Sequence, residues 1–497
     1  MFLSSFHKIL SKKKRLTNAL TAIFFVLVGC ETKSKIVNLC LSSKPRTLEP
    51  LKYQEVAILQ ILCNIYEPLV EDDEKFTVKP VLATYWEKMD SLTWIFYIRK
   101  GVKFHNGKQL DSKDVIYSIY YPRSLDYSEF RTHEIIIDTA IASSDSTIII
   151  KTKKPNDFLI NELKGFYIIP YGFKVGDPPC GTGPYKIDRI LDTVIVLKRF
   201  EKYWGKKPFF KFAYITFSDD PKKRLDKLIR GRVDLIDYVP LEFTDTVIKY
   251  GKLLYTPEFS LRELEFNVTI YPFNIPEFRK AICYAINRES IVKEYYKGLA
   301  SPANQFFPYG TMEHDVSLSQ IPHDTGYARY VFKKYRGTRP MILDYSLIVK
   351  PLGDLIVKQL RELGLNIVGN PMPSVNFWEK VKSKKSQMFL ITLVFTDRYG
   401  YSALASSFHS YVPNSYFGVS NRTGYSNSIV DSLIEIMMYI EDTRLRNELV
   451  SLIQKIVLED MPICPIAFER QYYGVRKDIN WIPRLNRRIY IKEMSRK

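Results

Sequence analysis

The 497-residue chain has few cysteines and histidines and, beyond its first thirty residues, no long apolar run. Its six cysteines are too few for a disulfide scaffold, and no two stand in a C-x-x-C spacing. The six histidines include no i, i+4 pair that could hold a metal ion from one helix face. Neither Gly-x-Ser-x-Gly nor His-Glu-x-x-His occurs. The sequence therefore predicts neither a multi-span membrane protein nor an enzyme, and no metal or cofactor.

The composition is that of a folded chain. Apolar residues make up 46% of the sequence, aromatic residues 14% and charged residues 26%. Such a chain buries enough apolar surface to offset its ordering entropy, so disorder is excluded. Because single cores stop growing at roughly 250–300 residues, we expect two or three lobes.

The first thirty residues predict a secretion signal. Five Lys and Arg residues with no acid precede the apolar run Leu20 to Val28, which is about half of the roughly 20 residues that a membrane-spanning helix needs. The run ends in Leu27-Val28-Gly29-Cys30, which resembles the lipobox of bacterial lipoproteins. The resemblance implies that Cys30 is acylated and holds the protein to a membrane outside the cytoplasm. The alternative is an amphipathic or buried first helix.

Removal of residues 1–29 lowers the net charge from +19 to +14. This excess indicates attraction to anionic lipid headgroups or faster capture of acidic ligands. Nucleic acid is the weakest of the possible partners, because the Lys and Arg residues are spread along the chain and mixed with acids. The five cysteines that follow Cys30 are odd in number, so at least one is unpaired, and we expect most to be buried.

Strand and helix patterns alternate along the chain without a fixed repeat, which predicts mixed α/β lobes. The predicted strands cover 36–41, 93–99, 146–151 and 193–198. The predicted helices cover 55–66, 221–231, 276–286, 353–363, 427–439 and 444–458, and a further helix begins at Asp111-Ser112-Lys113-Asp114. Gly181 and Gly183 are expected to adopt backbone angles that other residues avoid. A phosphate-binding loop is not indicated there, because no Gly-Lys-Ser/Thr follows.

Several blocks, in order, resemble the peptide- and nickel-binding family of extracellular solute-binding lipoproteins that serve ABC importers. The resemblance spans residues 47 to 465. The blocks are Thr47-Leu48-Glu49-Pro50, Ile65-Tyr66-Glu67-Pro68-Leu69-Val70, Pro80-Val81-Leu82-Ala83, Thr93 to Gly107, Asp114-Val115, Gly181-Thr182-Gly183-Pro184-Tyr185, Tyr203-Trp204-Gly205, Gly231-Arg232-Val233-Asp234, Arg279-Lys280-Ala281-Ile282, Tyr284-Ala285-Ile286-Asn287-Arg288, Tyr425-Ser426-Asn427 and Glu459-Asp460-Met461-Pro462.

The resemblance implies a periplasmic-binding-protein-like α/β fold, with two mixed α/β lobes joined by a hinge and an extra inserted domain. The implied division is signal 1–29, lobe I from 30–65, 173–262 and 466–497, inserted domain II from 66–172, and lobe III from 263–465. Ligand that contacts both lobes would stabilise a closed state. We expect a monomer on the periplasmic side of the cell envelope.

The resemblance also implies ligand-binding residues. Asp397 matches the aspartate that holds the α-ammonium of a peptide in oligopeptide- and dipeptide-binding members. Val394, Phe395 and Thr396 match the strand that pairs with the peptide, and Tyr53, Gln54 and Glu55 form the opposing segment. Arg398 either neutralises Asp397 or binds the carboxylate of the ligand.

The implied function is capture of oligopeptides or dipeptides and their delivery to an ABC permease. Within the family, a nickel chelate, haem, glutathione or a cell-wall peptide are alternative ligands. A structural or adhesive lipoprotein without a transport role is the alternative outside the family's usual function.

Overall fold

The computed structural model describes residues 35–73, 76–130, 136–156, 159–395, 400–413, 415, 417–437, 439–440 and 442–497. Cys30, Thr396, Asp397 and Arg398 lie outside the described residues, as does the predicted signal. The helices are α1 (Val56–Leu62), α2 (Ser112–Tyr120), α3 (Leu159–Glu162), α4 (Pro221–Ile229), α5 (Thr244–Tyr250), α6 (Pro276–Ala285), α7 (Arg288–Glu294), α8 (Thr325–Lys334), α9 (Lys350–Glu362), α10 (Ser374–Lys382), α11 (Tyr401–Ser407), α12 (Ser428–Met437) and α13 (Thr443–Asp460).

The strands are β1 (Ile36–Leu41), β2 (Val70–Asp72), β3 (Val78–Pro80), β4 (Ala83–Lys88), β5 (Thr93–Ile98), β6 (Ile137–Ser144), β7 (Thr147–Thr152), β8 (Tyr185–Ile190), β9 (Val194–Arg199), β10 (Phe212–Phe217), β11 (Leu235–Ile236), β12 (Lys252–Tyr255), β13 (Ser260–Phe266), β14 (Ser301–Pro302), β15 (Met341–Ser346), β16 (Ile367–Met372), β17 (Met388–Val394), β18 (Ile463–Glu469), β19 (Tyr472–Val475), β20 (Ile479–Asn480) and β21 (Ser495–Arg496).

Three sheets organise the chain. The first lobe is built on a seven-stranded sheet of order β12-β19-β11-β1-β10-β9-β8, in which β1 runs parallel to β10 and β11. The second lobe is built on a six-stranded sheet of order β14-β18-β13-β17-β15-β16. A separate four-stranded sheet, β4-β5-β7-β6, comes from the chain between β1 and β8. The α/β fold with an additional inserted sheet is therefore present as predicted.

Two large buried apolar clusters form the cores of the chain, and each contains residues of both lobes. Leu39 and Ile215, from paired strands of the first lobe, are buried together in a core that extends into the inserted sheet. Leu264 and Leu343, from the second lobe, are buried in another core with residues of α6 and α9. Burial of apolar surface contributes roughly 25 cal/mol per Å², so these cores supply much of the stability of the fold.

Two of the predicted domain boundaries, after residues 262 and 465, fall inside strands of the second lobe. β13 begins at Ser260, and β18 ends at Glu469. A division that keeps the sheets intact would place these boundaries before Ser260 and after Glu469. The assignment of residues to lobes remains a proposal.

Several of the blocks that carry the family resemblance meet in space around Glu67, which is buried. Its carboxylate accepts hydrogen bonds from Thr182 Oγ1 at 2.9 Å, Tyr203 Oη at 2.7 Å and Trp204 Nε1 at 2.8 Å. Burial raises the pKa of Glu67, while these donors act in the opposite direction. These blocks therefore hold the first lobe to the inserted unit, which is a structural role.

Gly181 and Gly183 are required for a reason other than the predicted one. Neither has a φ in the left-handed region. Instead, a Cβ at Gly181 would lie 2.1 Å from the carbonyl oxygen of Ile65, and a Cβ at Gly183 would lie 2.6 Å from it. The Gly183 amide donates to the same carbonyl at 2.9 Å. Close approach of two backbone segments, and not an unusual backbone angle, excludes side chains here.

The cysteines are partly paired. Cys283 of α6 and Cys464 of β18 form a disulfide, with a Cα–Cα distance of 5.6 Å. Cys40 and Cys63 are free and buried, and Cys180 is free and half-buried. The expectation that most of the cysteines after Cys30 are buried is confirmed.

Candidate functional site

The chain crosses between the two lobes at two adjacent segments, between β12 and β13 and between β18 and β19. These crossing segments are bonded to each other: the Thr256 amide donates to the Gln471 carbonyl at 3.0 Å, and the Gln471 amide donates to Thr256 Oγ1 at 3.0 Å. Arg470 forms an ion pair of 3.2 Å with Glu258. Two short, paired crossings let the lobes rotate as units while limiting sliding, as in a hinge.

Two adjoining cavities lie in the cleft between the lobes. The first, of about 180 Å³, is bounded by Ser42 and Asp237 from the first lobe and by Arg262 and Phe377 from the second. The second, of about 220 Å³, is bounded by residues that include Gln54 and Glu129 on one side and Arg422 on the other. Both cavities share Glu55, Val56, Trp378, Thr392 and Val394. The cleft is therefore continuous, with apolar walls and a few charged groups.

Lys382, at the end of α10, crosses the cleft. Its Nζ lies 2.5 Å from Glu55 Oε1 and 3.6 Å from Glu129 Oε1. Arg46 Nη2 also contacts Glu55 Oε1, at 2.6 Å, and the Gln54 amide donates to Glu129 Oε2 at 2.7 Å. One lysine of the second lobe thus joins two acidic residues that lie before α1 and after α2.

A buried charge cluster lies at the base of the first cavity. Arg262 on β13 contacts Glu469 on β18 at 3.0 Å, and Arg487 Nη2 lies 3.6 Å from the same carboxylate. Tyr296 Oη and Thr392 Oγ1 donate to Glu469 at 2.7 and 2.9 Å. Burial alone would raise the pKa of Glu469, but these two cations and two hydroxyls hold that pKa below its ordinary value. Glu469 is therefore a fixed anion that positions Arg262 against the cavity.

A second buried acidic group lies on the other face of β13. Glu263 and Glu265 are two residues apart, so their side chains share a face, and both are almost completely buried. Burial is the largest cause that raises the pKa of both carboxyls, and the charge of Glu265 raises the pKa of Glu263 further, whereas Arg422 acts in the opposite direction on both. Arg422, which lines the second cavity and lies 5.4 Å above the Trp378 ring, is 3.7 Å from Glu265.

Strand β17 has an open edge in the cleft. β13 pairs with β17 along its whole length, from Met388 to Val394. β15 pairs with β17 on the opposite side only from Met388 to Leu390. Within the described part of the chain, no strand pairs with residues 391–394 on that side. These are the β17 residues that line the two cavities, together with Leu390.

The structure brings several of the predicted site residues together. Val394 lies on both cavities, and Phe395 lies on the second cavity with Gln54 and Glu55. Tyr53 is beside the cavities, where its ring lies 3.6 Å from the Arg46 guanidinium and 4.8 Å from Lys382 Nζ. Thr396, Asp397 and Arg398 follow Phe395 directly but lie outside the described residues. The binding roles of all eight residues remain predictions.

Sequence reasoning missed the charged groups that the fold adds to this cleft, namely Glu129, Arg262, Lys382 and Arg422. They come from four segments separated by more than 30 residues each and follow no local motif. Pairing across the sheet and packing of α10 bring them together, so no spacing rule applied to the sequence would have found them.

Neither a membrane-spanning helix nor a metal-binding group is found among the described residues. Among the described residues, no helix combines the length and hydropathy that crossing a bilayer requires. In the same part of the chain, His, Cys, Asp and Glu side chains form no group of three that could hold a metal ion.

Comparisons with known proteins give one consistent result. Residues 77–414 match the family model described as bacterial extracellular solute-binding proteins, family 5 middle. The glutathione-binding protein GsiB of Escherichia coli O6:K15:H31 is 26% identical over 492 residues, covering 92% of this chain and 94% of its own. The periplasmic binding protein DppA of Helicobacter pylori, solved with the peptide STSA, has a TM-score of 0.84 and 19% identity, covering 94% of this chain and 100% of its own. NikA of Staphylococcus aureus, solved with Ni(L-His)2, has a TM-score of 0.81 and 20% identity, covering 93% and 100%.

Two α/β lobes, joined by paired crossings and separated by a cleft with apolar walls and a few charged groups, have the architecture of a hinged binding protein. The match over residues 77–414 identifies which group of such proteins this is. The chain belongs to the family 5 bacterial extracellular solute-binding proteins. The resemblance stated from the sequence blocks is thereby confirmed.

Proposed function

We propose that this protein captures oligopeptides or dipeptides in the interlobe cleft and delivers them to an ABC permease. The open edge of β17, from Ile391 to Val394, carries the proposal. A peptide that lies along this edge as an added strand would exchange main-chain hydrogen bonds with it, whatever its side chains. Gln54 and Glu55 would form the opposite wall.

The charges of the cleft support a ligand with both an ammonium and a carboxylate. Glu55 and Glu129 are acceptors for an ammonium group, whereas Arg422 and Arg262 are donors for a carboxylate. Lys382 already pairs with both acids, so we do not propose this acidic pair as the main site of the ligand ammonium. Asp397, one residue beyond Thr396, remains the proposed principal anchor for the ammonium.

Calorimetry with N-methylated peptides tests the strand-addition proposal. We expect a tetrapeptide to bind and its side-chain variants to bind with similar affinity. N-methylation at alternate positions should weaken binding about 10-fold, because a backbone acceptor then stays buried and unpaired. Equal tolerance of N-methyl groups at every position would contradict the role of the β17 edge.

Absence of a ligand-dependent thermal shift across peptide and metal-chelate libraries would favour the structural or adhesive alternative.

Glutathione is the second candidate ligand, because GsiB aligns with this chain over almost the whole of both sequences. Glutathione is a tripeptide with a γ-glutamyl linkage, which removes one normal backbone unit from any strand pairing. Calorimetry with glutathione and with an α-linked Glu-Cys-Gly peptide separates the two candidates. Tighter binding of glutathione would favour it, and tighter binding of the α-linked peptide would favour general peptide capture. Native mass spectrometry of protein purified without refolding would detect a nickel chelate, haem or a cell-wall peptide instead.

We also propose that the protein works on the periplasmic side of the cell envelope, anchored through acylated Cys30. The family's extracellular location supports this placement. The Cys283–Cys464 disulfide supports it as well, because disulfides persist in oxidising compartments. Fractionation of cells producing the native chain and a Cys30→Ala variant tests the anchor. We expect the native protein in the membrane fraction and the variant in the soluble extract, and an unchanged distribution would contradict acylation at Cys30.

A further inference from the structure

Basic residues, most of them from one short segment of the sequence, collect at one end of the seven-stranded sheet. Residues 198–211 contain six Lys and Arg residues and one acid, Glu201. This segment runs from the end of β9 to the start of β10, and Lys186 lies beside it because it pairs with Lys198. Lys35 precedes β1 at the same end, since Ile36 pairs with Phe212. We call this set the basic end: Lys35, Lys186, Lys198, Arg199, Lys202, Lys206, Lys207 and Lys211.

The cations of the basic end are largely free to meet an external partner. Glu201 pairs with Arg199 at 3.0 Å and with Lys207 at 2.5 Å. Within the described residues, Lys35, Lys202, Lys206 and Lys211 form no ion pair, and all four are exposed. Counting these eight cations against Glu201, the basic end carries an excess positive charge that the protein itself does not neutralise.

Aromatic rings underlie part of the surface. Lys35 Nζ lies 3.8 Å from the centroid of the Phe209 ring. Lys198 and Lys211 each place Nζ 5.9 Å from the centroid of Phe212. Contacts of this kind hold the ammonium groups at the surface without removing their charge. The basic end therefore presents a defined surface and not only a set of flexible side chains.

The chain itself places this surface close to a membrane. Lys35 is five residues after Cys30, and five residues reach at most about 18 Å when fully extended. If Cys30 is acylated, as proposed above, this short tether keeps Lys35, and with it the basic end, close to the bilayer. Lys and Arg side chains near an anionic leaflet each contribute about five-fold to the partition constant.

We propose that the basic end binds the anionic phospholipid surface of the membrane and orients the protein on it. The cleft lies at the opposite end of β1, because Ser42 and Ser43 directly follow that strand and line the first cavity. Six strand residues span about 20 Å, so this orientation holds the cleft clear of the bilayer surface. Two observations favour a membrane surface as the partner. One is the charge complementarity, and the other is the position of Lys35 shortly after Cys30.

Vesicle co-sedimentation tests the proposal with the unacylated chain that begins at residue 31. We expect partition into vesicles of phosphatidylcholine and phosphatidylglycerol in a 2:1 ratio, little partition into phosphatidylcholine alone, and a steep loss with added salt. Equal partition into both vesicles would overturn the proposal. So would a preference for a DNA duplex over anionic vesicles at equal phosphate concentration. Because no acyl chain is present, failure here leaves the proposed anchoring through Cys30 untouched.

Two triple variants with the same change in net charge separate a local surface from a general charge effect. Lys202→Gln, Lys206→Gln and Lys211→Gln remove three exposed cations of the basic end. The control, Lys333→Gln, Arg336→Gln and Arg339→Gln, removes three exposed cations from the second lobe. We expect the first triple variant to lose roughly 100-fold in partition and the control to change much less. An equal loss in both would overturn the assignment to the basic end, and unchanged thermal unfolding of both would verify their folding.

Discussion

Lys382 Nζ lies 2.5 Å from the Glu55 carboxylate and thereby links the second lobe to the segment that opens α1. The lysine side chain is 26% exposed and the glutamate side chain 22%, so the pair is only partly shielded from water. Exposed pairs contribute about 0–1 kcal/mol. The two side chains nevertheless belong to different lobes. The contact therefore forms only when the lobes are together, and it favours the closed state.

We expect Lys382→Gln to weaken ligand binding about two- to five-fold, because the closed state loses up to about 1 kcal/mol. Calorimetry on the variant measures this change, and small-angle scattering without ligand should show a larger radius of gyration. Lys358→Gln is a matched control, since Lys358 pairs with Glu362 on α9, away from the cleft. Loss of binding beyond about 30-fold would show instead that Lys382 contacts the ligand directly. Identical behaviour of the two variants would contradict the closing role.

We expect Asp397→Ala to weaken peptide binding by roughly 2–5 kcal/mol, because the ligand ammonium would be left buried without a counter-charge. Calorimetry on the mature protein measures the effect.

The variant Arg398→Ala discriminates between the two roles predicted for Arg398. Tighter binding in that variant would show that Arg398 neutralises Asp397, and weaker binding would show that it holds the carboxylate of the ligand. Unchanged peptide affinity in Asp397→Ala would remove Asp397 from the site.

The buried pair Glu263 and Glu265 predicts that stability falls as pH rises towards neutrality. Burial raises the pKa of Glu265 to about 7, against 4.5 when unfolded. Between these values the folded state binds more protons than the unfolded state. The stabilising contribution is therefore complete below about pH 4.5 and is lost as pH rises through about 7.

Urea unfolding at pH 5 and pH 7 measures this dependence in the native protein and in Glu265→Gln. We expect the variant to lose less stability between the two pH values, by about 1 kcal/mol or more, because the amide that replaces the carboxyl group cannot ionise beside Glu263. Glu459→Gln is a suitable control, since that carboxylate is exposed and pairs with Lys280. An unaltered pH dependence in Glu265→Gln would show that the two carboxyls are not coupled as the geometry indicates.

The sequence predicted individual elements well where local signals decide them. β1 covers Ile36–Leu41 as predicted, and α2 begins after Asp111, whose side chain accepts from the Lys113 and Asp114 amides. α1 was predicted to reach Tyr66 but ends at Leu62. The reason lies in tertiary structure, because the Asn64 and Ile65 carbonyls accept from the Tyr185 and Gly183 amides. These distant partners pull the chain out of the helix, and no local pattern records them.

The cleft shows even more strongly that tertiary contacts leave no local pattern in the sequence. Family resemblance pointed to the segments around Val394 and Glu55, which the structure places on one cavity. Lys382 and Arg422 were not predicted, since their positions depend on how α10 and the segment before α12 pack against β13 and β17. The pairing of Cys283 with Cys464 was also open, because their separation of 181 residues exceeds any local spacing rule.

The disulfide between Cys283 and Cys464 predicts a redox-dependent stability. It joins α6 to β18 across a separation of 181 residues, so it restricts a large part of the unfolded chain. Crosslinks of this kind typically contribute about 2–5 kcal/mol. We expect a reducing agent to lower the melting temperature of the native protein, and the double variant Cys283→Ala and Cys464→Ala to melt at the lower temperature with or without it.

Cys63 provides the control for this experiment. Its thiol is free and buried, and burial raises its pKa to about 12, so a Cys63→Ala variant should keep the full response to the reducing agent. Arg288 Nη2 lies 2.8 Å from the Cys283 sulfur and 3.2 Å from the Cys464 sulfur, so the guanidinium packs directly against the bond. A melting temperature that is unchanged after the protein has been reduced in denaturing urea and refolded without reoxidation would contradict a stabilising crosslink. Because only an oxidising compartment maintains such a bond, the same measurement on protein taken from the cytoplasm and from the periplasm connects stability to location.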